Sequence, residues 1–225
     1  MSSRYDEIAS NLERVRNQVK NAATSSDRKY EDITLIAVTK TFPVSDVHIL
    51  ASLDVHHYGE NRDSDAAPKA AAVPGTWHFQ GQIQSNKLKS IASWANVIHS
   101  LDEIRHIQAL DKVAIHRIGV FLQVSLDGAQ GRGGAAAADL SALADSVLNS
   151  THLDLMGLMA VAPLDVSSDQ AFEKLATIHD GFKASYPMAT SLSAGMSNDF
   201  ESAISHGATH IRVGSSILGS RPTPQ

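Results

Sequence analysis

The sequence predicts a single (β/α)8 barrel, and three observations carry that expectation. Eight short apolar segments alternate with helix-compatible stretches, the loops between them are short, and no change of composition divides the 225 residues into two domains. A doubly wound open sheet is the alternative, but eight strands without a second domain close naturally into a barrel with no exposed edge. The length lies near the low end of the roughly 200 to 400 residues that such barrels span.

The elements follow in order. Tyr5, Ile8, Leu12, Val15 and Val19 recur at helical spacing on a charged segment, so the chain opens with an amphipathic helix. Residues 33–38 are apolar and β-branched, and Pro43 and a helical pattern through Val47, Leu50 and Ala51 follow, which makes one βα unit. Further strands are expected at 55–58, 76–79, 96–98, 118–124, 153–157, 190–192 and 210–213. Helices are expected at 101–114, 135–148, 170–185 and 199–205, each long enough to cross back over a parallel sheet. The alanine run at 135–138 reads as a helix start after the glycine-rich loop 131–134. The whole chain, 1–225, is thus expected to be one barrel domain with an N-terminal helix.

Composition excludes several functions. Nineteen Lys plus Arg against 24 Asp plus Glu give a net charge of -5, so no broad positive field exists for nucleic acid or a membrane surface. Any anion has to be gripped locally. With no cysteine, a disulfide framework, thiolate catalysis, Fe–S clusters and Cys-ligated zinc are ruled out, and a reducing compartment fits. Residues 1–20 are charged and hold no apolar stretch suited to a signal peptide or membrane span, so a cytoplasmic protein is expected. Eleven histidines invite a metal reading, but no H-E-x-x-H pattern occurs, and the adjacent His56 and His57 point to opposite faces of a strand. No metal is expected. G-x-S-x-G and Walker-type patterns are absent too.

Barrels of this class act at the carboxyl ends of their strands. Lys40 directly follows the apolar strand Leu35-Ile36-Ala37-Val38-Thr39, which delivers a primary amine to the rim of an apolar interior. Partial burial there disfavours the charged form and leaves free amine for a Schiff base with an aldehyde, whereas a solvated strand-end lysine is the plain alternative. At the last strand, Gly214 permits close backbone approach, and Ser215 and Ser216 stand where a short helix begins, so their N–H groups suit a phosphate. The preceding strand end supplies a matching loop, Ser193-Ala194-Gly195-Met196-Ser197, in which Ser197 also reads as an N-cap for the next helix. Arg212 lies within the last strand and needs an acceptor, either a structural carboxylate or the ring nitrogen of a cofactor. At other strand ends Asn61 suits a cofactor hydroxyl and Met159 a ring face. Alternation on the strand aims Trp77 and Phe79 at the helix layer and His78 inward.

Seven ordered blocks, Ala37 to Thr41, Gly59-Glu60-Asn61, Trp77-His78-Phe79, Gln84 to Lys87, Gly157-Leu158-Met159, Gly195-Met196-Ser197 and Arg212 to Ser215, resemble the motifs of pyridoxal phosphate homeostasis proteins. The likeness runs from about Ile33 to Arg221. It implies a barrel of the alanine racemase N-terminal type, with Lys40 carrying pyridoxal 5'-phosphate (PLP) as an internal aldimine. It also implies phosphate contacts from the loops at Ser197 and at Gly214 and Ser215, and an Arg212 contact to the pyridine nitrogen. The cofactor set then comprises Lys40, Asn61, His78, Met159, Ser193, Met196, Ser197, Arg212, Gly214 and Ser215. Two departures stand out. Phe42 occupies the place of a second lysine common in the family, and Ala129 that of an acidic residue, while Arg132 stands for a basic residue in the same loop.

The expected function is therefore a PLP carrier without catalysis, acting in vitamin B6 homeostasis by storage or delivery to apoenzymes, with a monomer expected. A PLP-dependent amino-acid racemase is the alternative. It requires a second base facing Lys40, for which Tyr58 is near enough in sequence. A Schiff-base aldolase acting on sugar phosphates shares the lysine and the phosphate loops.

Overall fold

A computed structural model describes residues 3–129 and 133–220. Its centre is a closed barrel of eight parallel strands in sequential order. They are β1 (Thr34–Val38), β2 (His57–Glu60), β3 (Thr76–Phe79), β4 (Val97–Leu101), β5 (Ile118–Gln123), β6 (Leu153–Met159), β7 (Ser191–Met196) and β8 (His210–Val213). Closure is made by β8 against β1, where Ile36 pairs with Arg212 and Ala37 with Val213. Nine α-helices among the described residues surround it: α1 (Arg4–Ser25), α2 (Val44–Ser52), α3 (Asp63–Ala72), α4 (Leu88–Trp94), α5 (Ile104–Val113), α6 (Leu140–Leu148), α7 (Ser168–Ser185), α8 (Phe200–Ser205) and α9 (Ser215–Leu218).

The N-terminal helix is set by its own sequence. Ser3 caps it, its Oγ accepting the Asp6 N–H at 3.1 Å while Asp6 accepts the Ser3 N–H at 3.0 Å, a reciprocal capping box. Ile8, Leu12, Val15 and Val19 are fully buried on one face. Arg4 ties that helix to its neighbours, donating to Asp46 at 2.6 Å and to the Leu218 carbonyl at 2.9 Å.

Alternation along the strands sorts the side chains into two layers. Outward residues such as Tyr58, Trp77, Phe79, Ile98, Ile211 and Val213 join the helices in one continuous apolar core. The inner layer is different, because His78, His99, Ser193 and Arg212 are buried beside Val97, Phe121 and Met159. His78 thus points inward and Trp77 and Phe79 outward, as alternation requires.

Several boundaries differ from those expected. The seventh strand runs through Met196, because Ser193 pairs with His210 and Met196 with Arg212 although Ser-Ala-Gly reads as loop. The second strand is displaced to His57–Glu60, and the sixth continues to Met159 past Gly157. At Gly157 a Cβ would meet the Ser191 carbonyl oxygen at 1.8 Å with φ at +152°, so only glycine fits that bulge. The helix expected from 101 starts at Ile104, since Leu101 ends β4. Ala135 is not a helix start: it bridges Val124, a 3-10 turn follows at Ala137–Asp139, and α6 begins at Leu140. Among the described residues no helix is long and apolar enough to cross a membrane.

Candidate functional site

A cavity of about 510 Å3 opens at the carboxyl ends of β1, β7 and β8. Its polar wall comprises Lys40, Gln80, Ser197, Asp199, Arg212, Gly214 and Ser215, with Met196 beside them, and its apolar wall is Val38, Phe42, Ala162, Pro163 and Leu164.

Lys40 stands on a pinned turn. Thr39 before it donates its N–H to the Gly59 carbonyl at 2.9 Å and its hydroxyl to Glu60 Oε1 at 2.7 Å. Thr41 after it adopts φ +70°, a left-handed conformation that costs a β-branched residue about 1–2 kcal/mol, and Phe42 N–H closes the turn on the Thr39 carbonyl at 3.1 Å. The strain is held next to Lys40.

Opposite stands an anion cradle. The N–H groups of Gly214 and Ser216 converge on Ser197 Oγ at 3.3 and 3.4 Å, and Ser216 Oγ donates to the Ser197 carbonyl at 3.3 Å. Two long backbone donations onto one hydroxyl mark a position that a better acceptor than a serine would fill. A Cβ on Gly214 would meet the Val38 carbonyl oxygen at 3.2 Å, so the loop lies closer to β1 than a side chain readily permits. Ser197 does not cap the following helix. Asp199 stands at that position, its carboxylate accepting the Met196 N–H at 2.6 Å, which leaves Ser197 to the cradle.

Arg212 is 5% exposed and projects from β8 into the cavity floor. It donates to Ser193 Oγ at 2.6 Å and to the Ala160 carbonyl at 3.0 Å, so its hydrogen bonds go to neutral oxygens and not to a carboxylate. Burial pulls its pKa down to about 10, opposed by Asp199. It therefore stays a cation at neutral pH, with further N–H donors for a ligand.

Of the residues expected from sequence, Lys40, Met196, Ser197, Arg212, Gly214 and Ser215 share this cavity. Asn61, His78, Met159 and Ser193 do not line it. Asn61 is exposed on the loop after β2, and the other three are buried in the barrel interior. Gln80 and Asp199 line the cavity as well, although the sequence alone assigns neither a role there. Gln80 Nε2 is buried without a hydrogen-bond partner among the described residues, and its position just past β3 was the available signal. Tyr58 faces away from Lys40: its hydroxyl donates to the Val55 carbonyl, its ring packs on Trp77 in the helix layer, and burial pushes its pKa up to about 12. Phe42 lines the cavity beneath the Arg4 guanidinium, which sits 5.7 Å above its ring. Ala129 is exposed, and Arg132 lies outside the described residues.

An amine, a buried guanidinium and convergent N–H donors in one cavity suit a small molecule with a carbonyl and an anionic group. Comparison with known proteins gives a consistent result. Residues 5–222 match the family model described as the alanine racemase N-terminal domain. A pyridoxal phosphate homeostasis protein of Mycobacterium tuberculosis is 40% identical, over 97% of this chain and 94% of the relative. One of Escherichia coli is 33% identical, over 96% and 97%. Among solved structures, PipY of Synechococcus elongatus with PLP bound superposes with a TM-score of 0.82 at 30% identity, over 94% of this chain and all of that one. Alanine racemase of Corynebacterium glutamicum, at 13% identity, shares the fold with a TM-score of 0.73, over 95% of this chain and 60% of the enzyme. The ordered motifs, the sequential eight-stranded barrel and near full-length relatives agree, and the chain belongs to the family of pyridoxal phosphate homeostasis proteins, built on the alanine racemase N-terminal domain.

Proposed function

We propose that this protein binds PLP reversibly at Lys40 and serves PLP homeostasis, storing the cofactor or delivering it to apoenzymes rather than catalysing a reaction. The observation that carries this reading is that Lys40, Arg212, Ser197, Gly214 and Ser215 line one cavity. The residues fit the cofactor: an amine for its aldehyde, backbone donors for its phosphate, a buried guanidinium for its ring nitrogen and the unpaired Gln80 Nε2 as a further donor. When bound, PLP supplies an aldehyde that condenses reversibly with a primary amine. The PLP-bound PipY structure supports the assignment.

What the cavity holds supports carriage over catalysis. Arg212, with a pKa near 10, gives the ring nitrogen a hydrogen bond without readily giving it a proton, so the ring remains a weak electron sink. Tyr58 is turned outward, so the residue considered for a second base is not at hand. Cytoplasmic action as a monomer completes the reading, in keeping with a chain free of cysteine.

Borohydride reduction of PLP-loaded protein tests it. The Lys40 peptide is expected to gain the mass of a reduced pyridoxyl phosphate adduct, and Lys40→Ala protein to gain none. A colourless protein without that adduct, or an adduct on another lysine, overturns the assignment.

A further inference from the structure

A hydrogen-bonded chain runs from the floor of the cavity through the barrel. Arg212 donates to Ser193 Oγ at 2.6 Å, Ser193 Oγ meets His99 Nδ1 at 2.8 Å, His99 Nε2 meets His78 Nδ1 at 2.8 Å, and His78 Nε2 meets His57 Nδ1 at 3.0 Å. Ser193 and His99 are fully buried, His78 is almost so, and His57 is half-buried at the start of β2, the end of the barrel remote from the cavity.

The chemistry of the Arg212 end fixes the direction of every bond. Arg212 has only donors, so Ser193 Oγ accepts from it, and the hydroxyl proton has His99 Nδ1 as its acceptor. His99 then carries its proton on Nε2 and donates to His78 Nδ1. By the same reasoning His78 carries its proton on Nε2 and donates to His57 Nδ1. The reverse order would send two donors onto Ser193 and strand the hydroxyl proton in a fully buried site, which costs about as much as a lost hydrogen bond. In the forward order each dipole also turns its negative end toward the guanidinium.

We propose that Ser193, His99 and His78 are positioning residues for Arg212, forming a one-way chain of Nε2–H imidazoles that holds the guanidinium in a single orientation toward the cavity. The role of that orientation in cofactor binding rests on the functional reading above. The charged and titratable groups facing the chain are His57 and His210 on His78, and His78, His210 and Arg212 on His99, with Phe121 stacked on His99 at 4.5 Å. None is a carboxylate, so nothing in contact stabilises an imidazolium, and burial holds both rings well below the usual histidine pKa.

The experiment is long-range 1H–15N NMR of the full-length protein, with and without PLP. At neutral pH His99 and His78 are expected as neutral Nε2–H tautomers. Ser193→Ala is expected to give His99 a mixed tautomer and to shift the Arg212 guanidinium resonances in the PLP-free protein. In the loaded protein it is expected to move the visible cofactor band and to weaken PLP binding about tenfold. A Nδ1–H tautomer or a protonated ring at His99 in the unsubstituted protein overturns the proposal. So does a Ser193→Ala protein whose imidazole and guanidinium resonances are unchanged. If the unsubstituted protein takes up no PLP, the functional reading fails, while the PLP-free spectra still decide whether the chain positions Arg212.

Discussion

Lys69 Nζ lies 2.5 Å from Glu60 Oε1, both side chains buried, and the same ammonium donates to the Thr39 carbonyl at 2.8 Å, one residue before Lys40. A lysine on α3 thereby holds the β1 tip that presents Lys40. Among the described residues Glu60 uses only one of its oxygens, Oε1, shared between Lys69 and the Thr39 hydroxyl, while Oε2 is buried without a partner. Burial accordingly raises the Glu60 pKa above the usual carboxylate value in spite of Lys69.

Lys69→Met breaks this pair and leaves Glu60 buried beside no cation. The expected loss is about 3–5 kcal/mol at about pH 8, and PLP affinity falls as well because the Thr39 carbonyl keeps only the Phe42 N–H of its two donors. The loss is expected to be smaller in a second measurement at about pH 5, because burial raises the Glu60 pKa and acidification favours its neutral form. Glu60, with its folded pKa already raised, contributes stability that is present below the unfolded value of 4.5 and lost as pH rises through the folded one. Urea unfolding at the two pH values checks the sign; a loss larger at acid pH contradicts it.

Breaking the cradle is expected to affect only a ligand that carries a phosphate. Ser197→Ala removes the hydroxyl on which the Gly214 and Ser216 N–H groups converge, and Gly214→Ala pushes the loop off Val38. A hydrogen bond to a charged group is worth about 1.5–3 kcal/mol, so PLP binding weakens roughly ten- to hundredfold, whereas pyridoxal lacking the phosphate is much less affected. Titrations with the two aldehydes separate the cases, and equal losses for both would remove the phosphate from this cradle.

These two predictions rest on residues of different legibility. Lys40, Gly214 and Ser215 could be read because a strand tip or a glycine turn states its position locally, and the seven ordered blocks carried the family. Ser193 and His78 were singled out, but their partners could not be found. Ser193 meets His99 across 94 residues of sequence, a pairing created only by barrel closure. His99 gives no local signal, because a polar residue facing a barrel interior has the same spacing as one facing solvent. Residues 193–197 read as loop from sequence because Ser, Ala and Gly have little strand propensity, and pairing with β8 overrides this through Met196.

Acid sensitivity follows from the buried imidazoles. His78 and His99 are held well below 6.5 mainly by burial, and His210 is lowered to about 4. A depressed folded pKa means that the unfolded chain binds the protons first. Stability is therefore full above 6.5 and falls with acidification toward the folded values, by up to about 1.4 kcal/mol per pH unit for each such ring. Replacing both His78 and His99 by Leu flattens the decline in urea midpoint below pH 6.5. A midpoint that stays constant between neutrality and about pH 5 runs against this account.

A racemase reading needs a base on the cofactor face opposite Lys40. Tyr58 is excluded by its outward hydroxyl, and Tyr58→Phe should cost about 1 kcal/mol of stability through the unpaired Val55 carbonyl while leaving PLP uptake intact. Asp199 is the carboxylate lining the cavity among the described residues, and it is committed to the Met196 N–H at 2.6 Å. Loaded protein in heavy water with single L-amino acids is therefore expected to exchange the α-proton no faster than free PLP does, and Asp199→Asn is expected to change nothing. Exchange well above the free-cofactor rate that Asp199→Asn abolishes would make Asp199 the missing base and turn the carrier into an enzyme.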